Sequence, residues 1–133
     1  MLKVRYSPSG IDFEGTAEDL RNLRSQVLAL ALATKGQVSI MVETNYDPAP
    51  YDSALELVVI SVGAGPTGVE VVDGRQLCIS ASPDNLRRMA SFIVVPDGAK
   101  PGWHSHYEYF AGNEFIMANA EPVTFSLRRL TTA

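Results

Sequence analysis

Cysteine is nearly absent from this 133-residue chain: Cys78 stands alone. No intrachain disulfide can form, which excludes the stapled framework of a small secreted domain. Histidine is almost as scarce, with only His104 and His106. The longest apolar run, "VLALALA", is too short to span a bilayer, and "MLKVRYSPSGIDFEG" lacks the apolar core of a signal peptide. A cytoplasmic protein without membrane contact is the expectation. A basic excess is missing too. The formal charge is -4, and the short pairs Arg87-Arg88 and Arg128-Arg129 supply no cationic field for a polyanion, so no nucleic-acid role is expected.

What remains is a hydrophobic content of 46%, enough for one compact domain over residues 1–133. "LKVRYS" and the residues around Ile11 and Phe13 alternate as two short strands, joined by a turn at "SPSG". Thr16 offers an N-cap, Glu18 and Asp19 occupy a first turn, and Leu20, Leu23, Val27, Leu30 and Ala31 recur at helical spacing up to Gly36. This pattern predicts a helix over about 17–34. "QVSIMVET" then directs Val38, Ile40 and Val42 inward, "NYDPAPYDS" is a loop, and "ALELVVISV" is a further strand. "GAGPTG", residues 63–68, marks a turn near the midpoint.

A shift of 66 residues lays "IDFEGTAEDLRNLRSQVLA" over "LCISASPDNLRRMASFIVV" without a gap. Thr16 meets Ser82, a second cap, with Pro83 at the first helical position, and Pro96-Asp97-Gly98 is expected to end that helix. Residue identity across the shift is at chance level; the order of elements carries the comparison. The expectation is an α+β fold of two pseudo-repeated strand-strand-helix-strand-strand halves, 1–66 and 67–133, with two helices packed on a largely antiparallel sheet. Leu86, Met89, Phe92 and Ile93 join the first helix's stripe in the core. Cys78, within "QLCISAS", is expected to be a buried small hydrophobe.

Chemistry concentrates in "GWHSHYEYF", residues 102–110. On a strand His104, His106 and Glu108 share one face, with Tyr107 and Tyr109 opposite. The two imidazoles and a carboxylate, Glu108 or Glu114, are a candidate ligand set for a divalent metal such as zinc or ferrous iron. The reach of one strand limits a single ion to two of these three side chains unless the strand bends. The Gly98-to-His-x-His spacing resembles the opening of the cupin metal motif. Phe110 and Ala111, however, stand where that motif places its glutamate. In the 66-residue alignment His104 and His106 fall on Val38 and Ile40, so they are expected to face the way that those core positions face. Trp103, Tyr107, Tyr109, Phe110 and Phe115 form an aromatic cluster of the kind favoured at interfaces. Tyr46, Asp47, Tyr51 and Asp52 make an acidic, tyrosine-bearing loop suited to a basic partner.

The succession "ISASPDNLRRMA", "HSHYEYF" and "EPVTFSLRR" resembles small bacterial immunity proteins of polymorphic toxin systems. That resemblance implies a stoichiometric inhibitor, with His104, His106, Tyr107 and Glu108 at the matching positions. The leading expectation is thus a non-enzymatic protein-binding module, immunity-like, using Trp103, His104, His106, Tyr107, Glu108 and Tyr109 and needing no cofactor. The alternatives are a metal-binding domain or metal-dependent enzyme built on the His-x-His strand, and a structural subunit that forms a homo-oligomer.

Overall fold

A computed structural model describes residues 1–128; Arg129, half of one of the basic pairs, lies outside them. Nine strands and two helices follow one another as β1 (Lys3–Ser7), β2 (Gly10–Gly15), α1 (Ala17–Ala33), β3 (Gln37–Met41), β4 (Ser53–Ala54), β5 (Leu57–Val62), β6 (Gly68–Val72), β7 (Gln76–Ala81), α2 (Pro83–Ser91), β8 (His104–Tyr107) and β9 (Val123–Leu127) among these residues. This is the expected α+β class. The strands form two sheets rather than one, in the orders β4-β1-β2-β9-β8 and β3-β5-β7-β6. Each contains one parallel pair, β2 with β9 and β5 with β7, and is otherwise antiparallel.

The two sheets share one pairing scheme. A hairpin (β1-β2, or β7-β6) lies parallel to a strand from the other half of the chain, which carries an antiparallel neighbour at the sheet edge. Each half therefore supplies a hairpin to one sheet and a strand pair to the other. In the β1-β2 hairpin Ser7 opposes Gly10, leaving Pro8 and Ser9 as the two-residue turn. Gly10 has φ +135°, and a Cβ there would come within 2.6 Å of the Pro122 carbonyl oxygen, so a side chain is excluded by conformation and by space.

Both helices start where the caps were expected. The Thr16 hydroxyl accepts from the Asp19 amide at 3.1 Å while the Asp19 carboxylate accepts from the Thr16 amide at 3.0 Å, a reciprocal capping box. Ser82 caps α2, with Pro83 next. α1 ends at Ala33, with Thr34 in the left-handed conformation as its C-cap. α2 ends at Ser91, earlier than Pro96-Asp97-Gly98 indicated: Phe92 takes the C-cap position, its amide and that of Ile93 bonding back three residues. α1 touches β2 and β9 of one sheet and β3 and β5 of the other, and packs against α2. Leu20, Leu23, Val27 and Leu30 bury one face of α1, and Leu86, Met89 and Ile93 join the same core; Phe92 is half-buried.

Cys78 departs from its expected burial. Leu77, Ile79 and Ala81 take the core face of β7, so the alternation turns Cys78 outward, where its sulfur accepts from the Gln76 side-chain amide at 3.3 Å. None of the described helices is long and apolar enough to cross a membrane.

Candidate functional site

Alternation along four strands of the five-stranded sheet sends Val4, Ile11, Phe13, Val123, Phe125 and Tyr107 into the core. The opposite face is polar throughout. Cross-strand register assembles it into two rows: Arg5, Asp12, Thr124 and His106 in one, Lys3, Glu14, Ser126 and His104 in the other. Residues 114 positions apart in sequence thereby become hydrogen-bond partners.

Asp12 is the centre of this face. Its carboxylate is 3% exposed and fully engaged, accepting from Arg5 Nη2 at 2.5 Å and from the Ser126 hydroxyl at 2.9 Å. Arg5 Nη2 also donates to Glu14 at 3.2 Å. Burial works against the Arg5 charge, but the hydrogen bond and charge of Asp12, then the charge of Glu14, outweigh it and hold the guanidinium above its usual pKa. Two tyrosines from the 42–52 loop fold over the cations. The Tyr51 ring lies 4.5 Å from the Arg5 guanidinium and the Tyr46 ring 4.8 Å from the Lys3 ammonium. Burial raises the pKa of both phenols, so they remain neutral rings over positive charge. Between Tyr51, Arg5, Glu14 and His104 lies an open cleft of about 230 Å³.

His104 and His106 occupy the outer edge of this face, both exposed, with ring centroids 4.9 Å apart. His104 Nδ1 donates to the Gly102 carbonyl oxygen at 3.1 Å, and His106 Nδ1 lies 3.0 Å from the Thr124 hydroxyl. Both Nδ1 atoms are thus engaged on the protein side. The alignment with Val38 and Ile40 is off by one residue. Ile11 pairs with Val123 and its aligned counterpart Leu77 with Val58, so Val123 matches Val58; their partners Tyr107 and Ile40 then match, and Ser105 and Tyr107 occupy the positions of Val38 and Ile40. A one-residue slip exchanges the two faces, which is why the histidines face solvent and not the core.

The remaining expected site residues separate. Tyr107 is 1% exposed, its hydroxyl 2.8 Å from that of the fully buried Thr67 and its ring edge-on to Phe92; it ties β8 into the core and is not available to a partner. Trp103 packs half-buried against the core, whereas Tyr109 and Phe110 are exposed. β8 ends at Tyr107, so Glu108 lies beyond the strand and does not continue the histidine face. Among the described residues no three His, Cys, Asp or Glu side chains converge as a metal site; neither Glu108 nor Glu114 completes a triad with the histidines.

Sequence reasoning passed over Lys3, Arg5, Asp12, Glu14 and Thr124. A signal was present: with a two-residue turn at Pro8-Ser9, Arg5 opposes Asp12 and Lys3 opposes Glu14, opposite charges on the non-core side of a hairpin. No family model, curated protein or solved structure matches the chain.

Proposed function

We propose that the chain is a protein-binding module that docks a basic partner on the outer face of its five-stranded sheet. The observation that carries this reading is the double row of polar side chains across four strands, roofed by Tyr46 and Tyr51 and bordered by exposed Asp47 and Asp52. Arg5 is already paired with Asp12 and Glu14 and the Lys3 ammonium lies against the Tyr46 ring, whereas Asp47 and Asp52 on the border are exposed, so the border itself is acidic. Acidic edges and a net charge of -4 favour encounter with a cationic surface and accelerate it. An extended, fixed polar face with aromatic rings suits a macromolecule better than a small substrate, for which a deep enclosed pocket is the usual site. The resemblance of the His-x-His strand and its flanks to immunity proteins makes a toxin-like protein the kind of partner to seek.

The other sheet supplies the control. Its outer face carries Ser39, Val59, Cys78 and Glu70 in register, nearly uncharged. Capture from native lysate is expected to retain one partner on the wild type and on a Met41→Lys variant, and to lose it on Asp47→Lys/Asp52→Lys. Retention of the same partner by the double variant at undiminished strength, or loss on Met41→Lys alone, contradicts the assignment.

A further inference from the structure

β8 is the last strand of its sheet. Leu127 donates its amide to the Trp103 carbonyl at 2.7 Å, so the alternation of an antiparallel pair assigns Ser105 and Tyr107 to the positions hydrogen-bonded with β9. The amides and carbonyls of His104 and His106 point away from the sheet, into the position a further strand would fill. The same two residues carry exposed imidazoles on one face, with each Nδ1 held by Gly102 or Thr124. A carbonyl only accepts, so the His104 Nδ1 carries a proton, and in the neutral ring Nε2 is the nitrogen left with a lone pair. An Nδ1–H fixed by an oxygen acceptor is the usual orienting contact behind a metal-ligating imidazole.

We propose that His104 and His106 are half of a transition-metal site completed by a second copy of this chain, with zinc as the fitting ion. Antiparallel pairing of β8 with its symmetry mate about Ser105 satisfies all four outward backbone groups. It sets His104 opposite His106 of the partner subunit at the Cα spacing of about 5.5 Å typical of a hydrogen-bonded pair. Four imidazoles then stand in a two-by-two array on one face of a continuous sheet. Their Nε2 atoms can close on one tetrahedral ion at about 2.0–2.1 Å. A single copy offers only two ligands, which accords with the absence of any three-residue metal group among the described residues. The pairing leaves the histidine-bearing faces of the two copies' five-stranded sheets on the same side, and the inference does not depend on the binding-face reading.

The test is sedimentation of untagged, metal-stripped protein with and without Zn²⁺, alongside His104→Ala and His106→Ala, both at exposed positions. The expected result is a doubling of mass on adding Zn²⁺, one ion per two chains, reversal by chelator, and loss of the mass change in each variant. No zinc uptake, uptake of one ion per chain without change in mass, or dimerisation that survives both substitutions would overturn the proposal. Asp47→Lys/Asp52→Lys is expected to dimerise normally, separating this result from any failure of partner capture.

Discussion

Asp12 shows how one residue organises a surface. A carboxylate at 3% exposure is sustainable only because Arg5 and Ser126 occupy both of its oxygens. Removing one member strands the other: Asp12→Ala leaves a half-buried guanidinium with Glu14 alone. The expected cost is about 3 kcal/mol, the lower end for a broken buried pair. Arg5→Met/Asp12→Leu, which removes both charges, is expected to cost clearly less. Urea midpoints of the three proteins check this; equal losses in the single and the double variant contradict it. The pairing of Arg5 with Asp12 is legible from the hairpin turn, but the third member is not, because Ser126 reaches Asp12 only through the parallel pairing of β2 with β9.

At the scale of elements, local chemistry was the most legible. Thr16, Ser82, Pro83 and the leucine spacing locate both helix starts, since a cap and its first turn are settled within four residues. The end of α2 was not, because Pro96 and Gly98 punctuate a loop that had already left the helix at Ser91. Strand faces were legible from alternation, whereas the register of β8 relative to β3 depends on partners elsewhere in the chain and was misread by one residue. The capping box of α1 makes a pH prediction. Burial raises the Asp19 pKa, but hydrogen bonds from the Thr16 amide and hydroxyl, helped by the N-terminal ammonium, outweigh it and hold the folded-state pKa below its ordinary value. A depressed carboxylate contributes stability that is complete above its unfolded pKa and is lost as pH falls through the folded value. Thr16→Ala is expected to cost about 1 kcal/mol at neutral pH. Its deficit relative to wild type should shrink below pH 4, as read by thermal melts across that range; a constant deficit would show that the cap is not coupled to Asp19.

The whole molecule is interleaved. Hairpin β1-β2 is completed by β9 and β8 from the second half, and hairpin β7-β6 by β5 and β3 from the first. Such a chain is expected to unfold in one cooperative transition, because neither sheet survives removal of either half. Residues 1–66 and 67–133 expressed separately should be unfolded and should regain helical and sheet signal only when mixed. A folded isolated half, by circular dichroism and amide dispersion, contradicts the interleaving. The expectation of one largely antiparallel sheet does not include this division into two sheets, because exchange of strands between halves leaves no mark in local periodicity.

The same exchange builds the face to which function is assigned, since β1 and β2 carry its charges and β8 and β9 its histidines and hydroxyls. Amide hydrogen exchange of the chain with its captured partner, recorded in chelator, tests that assignment most directly. Slowed exchange in the 42–52 loop that roofs the face, with β3 and β6 unchanged, is the predicted result. Protection confined to β3 and β6 of the four-stranded sheet would contradict it.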